Sequence, residues 1–287
     1  MGWQFCYVPL EMTNLARSDM KQVLCIKWGK RYGPEYVNRI YAMVKRNITP
    51  PFRVICFTDD STGIREEVLC HGLPELGCER PTNAPGKWPK AALWNKDLFG
   101  LEGVALFVDL DVVITGDLDG FFSFGSPDDV VLARNWVKPL ERLGQTSIFR
   151  FPIGKHHYLL DDFRKDPAGI AGHYQFEQRY VTQCVKGGVK FWPHGWVRHF
   201  RMSCLGPWPL RYLRPARLPA GTRVVIFPGK PDPADAMVGR WSEKQPHRTR
   251  WEHLKRINTS ERVGSTWLTH LKRYLLPCPW IAEHWRE

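Results

Sequence analysis

The sequence is poorest in the devices that hold exported and membrane proteins together. None of its eight cysteines forms a C-x-x-C pair, and Cys25 and Cys56 sit inside apolar runs, so a reducing compartment is expected. Cys70, His71 and Cys78 supply three donors where a structural zinc needs four, and they read as ordinary buried or surface groups. No run approaches the roughly 18 apolar residues that span a bilayer, and residues 1–19 lack a basic flank leading into an apolar stretch. The expectation is a soluble, cytoplasmic, unexported chain. Internal repeats and low-complexity tracts are missing too. With 43% hydrophobic and 13% aromatic residues, the 287-residue chain can bury a core, which excludes a disordered tail or a collagen-like fibre. Acid is the scarcer charge: 29 Asp+Glu against 41 Lys+Arg leave a formal +12.

What is present alternates between two periods. Residues 23–26 and 53–57 are short apolar runs ended by polar loops, and read as buried strands. Between them Pro34 opens a helix with Tyr36, Val37, Ile40, Tyr41 and Val44 at helical spacing. A helix is expected over 89–98, and the strongest strand is Val104-Ala105-Leu106-Phe107-Val108. Farther on, 130–133, 147–151 and 223–227 read as strands, 154–163 and 176–185 as helices. Strands alternating with helices predict an α/β fold with a mainly parallel sheet flanked by helices. Asp59 and Asp60 read as an Asx turn, and His156, His157, His194 and His199 as surface or core histidines, since ligation would need partners at paired spacings.

The sharpest feature is Phe107-Val108-Asp109-Leu110-Asp111. Side chains i and i+2 of a strand share a face, so Asp109 and Asp111 converge where a buried strand ends. Open α/β sheets bind ligands at those carboxyl ends. Two carboxylates so close call for a cation, and Mg2+ or Mn2+ prefers carboxylate with phosphate oxygens. Two enzyme classes use the device. In haloacid-dehalogenase-like phosphohydrolases a Gly-bearing loop follows, with another acidic pair at a later strand end; here Val112, Val113 and Ile114 continue apolar, and Asp161-Asp162 sits in a helical pattern.

The other class fits more of the chain. From about residue 23 to 235 the sequence resembles GT-A glycosyltransferases, notably family 8, the group of glycogenin and bacterial lipopolysaccharide sugar transferases. Lys27-Trp28-Gly29 with Tyr32 resembles the first-strand loop, where a Tyr stacks on the nucleotide base. Trp88-Pro89-Lys90-Ala91-Ala92-Leu93-Trp94 resembles the segment whose Lys approaches the diphosphate. Phe107 to Asp111, Leu110 included, resembles the metal and nucleotide-sugar motif. Leu118-Asp119-Gly120-Phe121-Phe122 resembles its continuation. Phe176-Glu177-Gln178-Arg179-Tyr180 resembles the Asp-Gln segment beside the reacting sugar. Phe227-Pro228-Gly229-Lys230-Pro231 resembles the late element that closes over the phosphates. Three departures stand out. Ile226 and Pro228 occupy the place of the family's third-ligand His, Glu177 stands for an Asp, and Gln145-Thr146-Ser147 lacks the usual Asn.

The resemblance implies a GT-A fold over 20–239 and transfer of a hexose, with retention, from a nucleoside diphosphate sugar such as UDP-hexose to a glycan or glycolipid. It also implies Mn2+ or Mg2+ on Asp109 and Asp111, with Glu177 or Gln178 at the reacting face. Lys27, Tyr32, Lys90, Leu110, Gly229 and Lys230 would hold the nucleotide part. The alternatives are the phosphohydrolase and a nucleotide-sugar-binding protein without turnover. From 178 to 231 there are ten Lys+Arg and no acid, a one-signed field that suits an anionic acceptor better than nucleic acid, whose recognition motifs are missing. Residues 240–287 hold five of thirteen tryptophans and a basic surplus. They read as one or two amphipathic helices, with Leu268, Leu271, Tyr274 and Leu275 on one face and Lys272 and Arg273 free for a peripheral membrane contact. Residues 1–19 carry no periodicity and read as a disordered extension or a misassigned start.

Overall fold

Apolar residues without alternation form strand β1 (Lys21–Lys27), where Val23, Leu24 and Cys25 are fully buried, as a strand covered on both faces requires. The computed structural model describes residues 20–85 and 87–287, and the expectation for 1–19 lies outside them. Pro34 opens helix α1 (Pro34–Asn47), which buries Tyr36, Val37, Ile40, Tyr41 and Val44 along the predicted stripe. Strand β2 (Phe52–Thr58) follows and pairs parallel to β1, with Cys25 opposite Cys56.

β3 (Val68–His71), β4 (Val104–Val108), β6 (Val131–Arg134), β7 (Gly144–Pro152) and β8 (Lys190–Phe191) complete a seven-stranded sheet in the order β3-β2-β1-β4-β7-β6-β8. β7 is antiparallel to both neighbours, while β6 and β8 run parallel to each other. The carboxyl ends of β1, β4, β6 and β8 therefore share one edge with the beginning of β7. β5 (Val112–Ile114) leaves this sheet for a second of three strands, pairing with β10 (Val224–Ile226), which pairs with β9 (Val197–His199). The mainly parallel α/β architecture is the one the alternation predicts.

The helices differ in detail. The segment expected as a helix over 89–98 is a 3-10 helix at Trp88–Trp94, opened by Pro89 and ended at Asn95, with Trp88 and Trp94 as buried anchors. Trp88 stacks on Phe163 of α3 (Tyr158–Lys165) at 5.0 Å between ring centroids. α2 (Asp119–Ser123), α4 (Pro167–Tyr174), α5 (Glu177–Cys184) and α6 (Pro233–Val238) cover the rest.

The C-terminal segment contains three short helices, α7 (Arg250–Lys255), α8 (Trp267–Lys272) and α9 (Pro279–His284), rather than one or two. Tyr274 and Leu275 of the expected apolar face are buried, whereas Leu268 stays 37% exposed. Beyond α9, Trp285 packs edge-on to Tyr36, and Arg39 lies over its ring. Arg46 donates to the carbonyls of His284 and Arg286. The tail end is thereby fixed to α1.

α7 and α8 are joined through His253 and His270. Their rings stack at 3.8 Å, and each Nε2 faces the other residue's backbone carbonyl, at 2.9 and 2.8 Å. The Val263 N–H donates to His270 Nδ1. His270, with Nδ1 accepting and Nε2 donating, must be neutral. Burial lowers both pKa values, that of His253 to about 4, with Arg248 and Arg262 adding like charge. The unfolded chain therefore takes up these protons first as pH falls below about 6.5. The clasp's stability is present above that value and drains away toward pH 4. His253 alone should remove about 2 kcal/mol between pH 7 and 5. Urea unfolding at both values should show this drop in the wild-type chain and a smaller one in His253→Asn, which keeps a donor but cannot titrate. Equal drops would contradict the assignment.

Candidate functional site

β4 is buried because both faces are covered, and it ends where the chain must leave one sheet for the other. Asp109 donates its N–H to Ser147 O at 2.8 Å, one residue beyond the strand, and β5 begins three residues later. The two acids sit in that step. Asp109 Oδ1 accepts from Lys90 Nζ at 2.8 Å, and the same amine donates to Thr146 O at 3.0 Å and lies 4.7 Å from the centre of the Phe107 ring. Asp111, 7% exposed, accepts from the Tyr32 hydroxyl at 2.9 Å. Burial first, then the charge of Asp109, pushes the Asp111 carboxyl up to about 6. Burial and Asp111 together hold the Tyr32 phenol well above its ordinary range.

Two cavities meet at the acids. The first, about 270 Å³, has apolar walls from Ile26, Trp28, Tyr32, Leu73, Leu76 and Phe107. The second, about 320 Å³, is polar, with Gln145, Thr146, Ser147, Glu177 and Gln178. Lys87, Lys90, Asp109 and Asp111 line both. Glu177, at the start of α5, is 4% exposed; its Oε2 accepts from Thr146 Oγ1 at 2.9 Å, while Oε1 is buried without a partner among the described residues. Burial raises its pKa to about 7. Gly229, at φ +85°, turns the Pro228-Gly229 loop into this cavity, and Arg201 latches the loop by donating to Pro228 O at 3.2 Å.

Tyr32, Lys90, Asp109, Leu110 and Asp111 thus line the first cavity, and Glu177, Gln178 and Gly229 the second. Two lysines point elsewhere. Lys27 donates to Asp60 O, tying the β1 loop to the turn after β2, where Asp60 also closes an Asx turn on Thr62. Lys230 binds Asp232 and Asp235, the former capping α6. The cations that do face the acids include Arg31 and Lys87, which the sequence reading did not single out. Both lie in loops, where no periodicity marks them. Among the described residues no three His, Cys, Asp or Glu side chains are grouped to hold a metal. The residues that could contribute to such a site are the two aspartates, Asp109 and Asp111. Asp161-Asp162, the second pair a phosphohydrolase would need at a strand end, lies in α3.

A mainly parallel sheet flanked by helices, with a small second sheet beside it, is the architecture of the GT-A glycosyltransferase fold. The chain superimposes on the galactosyltransferase LgtC, solved with donor and acceptor sugar analogues, at a TM-score of 0.50 and 13% identity, over 74% of this chain and 88% of that one. It also matches the apo form of the glycosyltransferase GlyE from Streptococcus pneumoniae TIGR4 (TM-score 0.53, 12% identity, 90% of this chain, 65% of that one). A third match is the bifunctional glycosyltransferase WbbM (0.51, 10%, 76% and 47%). At these identities the likeness establishes the fold. No protein-family model and no curated protein matches the sequence.

Proposed function

We propose that the chain is a metal-dependent glycosyltransferase that moves a hexose from a nucleoside diphosphate sugar, UDP-hexose by preference, to a glycan or glycolipid, with retention at the anomeric carbon. The observation that carries this reading is the order of environments along the crevice. An apolar, aromatic cavity suits a nucleoside, the acids and lysines at the junction suit a diphosphate, and the polar cavity with Glu177 suits a sugar. Two converging carboxylates, one of them raised by burial and by the charge of the other, fit a hard divalent cation whose remaining ligands would be phosphate oxygens and water. Such an ion, when bound, neutralises the charge that collects on the departing diphosphate. Lys90, Lys87 and Arg31 add fixed positive charge beside the same place. Tyr32 and Lys90 hold Asp111 and Asp109 in position, and Trp28 and Tyr32 offer ring faces to a base. Glu177, ionised above about pH 7, would lend negative charge to a sugar ring developing positive charge. Calorimetric titration with UDP-glucose and UDP-galactose, with and without Mn2+, tests the reading. Metal-dependent binding followed by sugar release to water supports it. Binding without any turnover on a broad acceptor panel leaves the non-catalytic alternative standing, and hydrolysis of generic phosphoesters lost with Asp109→Asn favours the phosphohydrolase.

No helix among the described residues is long and apolar enough to cross a membrane. Peripheral contact is favoured by the surface formed where Arg211 and Tyr212 donate to the carbonyls of Lys272 and Leu271. Leu210, Leu213, Trp251 and Trp267 are all exposed in this part of the chain. Co-sedimentation with anionic liposomes is expected, weakened by salt and by Lys272→Glu/Arg273→Glu. Equal partitioning onto neutral vesicles would defeat the electrostatic part.

A further inference from the structure

The carboxyl edge of the main sheet carries another hollow. It has a volume of about 220 Å³, lies where β6 and β8 end, and is lined by Arg134, Asn135, Trp136, Trp192, His194 and Arg198 among others. Because β6 runs parallel to β4 with β7 between them, the hollow and the acid pair share an edge two strand spacings apart, roughly 10 Å. β7 connects them directly. Ala133 and Arg134 pair with Gln145 and Gly144, and Gln145 lines the polar cavity beside Asp109.

The chemistry of the hollow is one-sided. No Asp or Glu lines it, and the segment 178–231 that builds one wall contains none. Arg198, half-buried, has no ion pair among the described residues, and its Nε is closed off without a hydrogen-bond partner, so a ligand in the hollow would meet the terminal amines of its guanidinium. Arg134 is exposed, with one long bond, 3.4 Å to Pro139 O. One indole supplies the accessible aromatic surface: Trp136 is half-buried and set edge-on to His199 at 5.8 Å, whereas Trp192, 6% exposed, is packed into the core against Phe121 and Trp196 and forms only wall. Indole faces accept the flat apolar side of a pyranose ring, and guanidinium forks match carboxylate and phosphate oxygens. A neutral sugar would use the Trp136 indole and leave the Arg134 and Arg198 guanidinium groups unanswered.

We propose that this hollow is a subsite for a sugar ring bearing an oxyanion, carboxylate or phosphate, so that the acceptor is an anionic glycan whose charged residue sits about two strand spacings from the acid pair. Calling that glycan the acceptor rests on the glycosyltransferase reading above; the binding itself does not. The test is a chemical-shift titration of the full 15N-labelled chain that follows the Trp136 indole N–H. The probes are glucuronic acid, glucose 6-phosphate, glucose, inorganic phosphate and a short oligothymidylate, with UDP titrated separately. Glucuronic acid, glucose 6-phosphate or both should bind at least about tenfold more tightly than glucose or phosphate, and which of them does identifies the oxyanion. Arg198→Ala and, separately, the exposed Arg134→Ala should each weaken that binding about fivefold or more while leaving the UDP affinity unchanged. Glucose binding equally well would remove the charge from the proposal, and phosphate binding equally well would reduce the hollow to an ion site. Oligothymidylate binding most tightly would assign it to nucleic acid, and undiminished binding in both variants would place the ligand elsewhere. If UDP fails to bind while the anionic sugar does, the hollow stands and the glycosyltransferase reading falls.

Discussion

Asp111→Asn is expected to abolish metal-dependent nucleotide binding and to lower sugar transfer on the order of 10³-fold or more, because the interactions at stake stabilise charge on the leaving diphosphate. The same substitution should not unfold the protein. Asn keeps the volume and can still accept from the Tyr32 hydroxyl, which now donates to the carboxylate at 2.9 Å. It also removes a buried negative charge that sits beside Asp109. In metal-free buffer the melting temperature should therefore stay level or rise. Calorimetry with UDP and Mn2+ and a thermal melt measure the two effects on one sample. Wild-type binding in the variant would sink the site assignment, and a collapse in melting temperature would make Asp111 a structural residue.

Glu177→Gln is the second large effect. The amide retains an oxygen for the Thr146 hydroxyl but cannot ionise. With the carboxyl raised to about 7 by burial, the ionised fraction grows as pH climbs through neutrality, and wild-type kcat should climb with it. The variant should lose about 10²-fold or more in kcat at pH 8, with KM little changed, and its profile should be flat in that window. A variant that keeps the wild-type limb near pH 7 would show that another group titrates there. An equal loss in kcat and in nucleotide affinity would move Glu177 from the sugar to the scaffold.

Much of the fold was legible because its strands are buried on both faces. Such strands are written as uninterrupted apolar runs, and Val104 to Val108 announces both its burial and, by stopping at Asp109, the sheet edge where the acids and the two cavities lie. α1 was legible from Pro34 and a 3.6-residue stripe. The misses share a cause. β8 spans two residues and β9 three, too few to show a period, and the helix expected after Pro89 tightens to a 3-10 turn because two buried tryptophans fix its ends. Within the site, the acids and Lys90 were marked by strand and motif. Lys27 and Lys230 match the motif, yet nearby carbonyl and carboxylate groups take up their amines. That competition is set by loops in space and leaves no trace in spacing. The His253 and His270 pair was hidden for the same reason, since stacking across 17 residues has no local signature.

The seating of the tail on α1 sets an order of events during synthesis. α1 is made well before the tail that it contacts, and Arg46 waits for a carbonyl 238 residues farther along. At translation rates of about 5–20 residues per second, that interval is roughly 10–50 s. Throughout it the part of α1 that Trp285 will cover faces solvent or a chaperone. The nascent chain can pair β1 with β2 early, but α1 gains Trp285 and the two carbonyls that Arg46 binds only once residues 284–286 have been made.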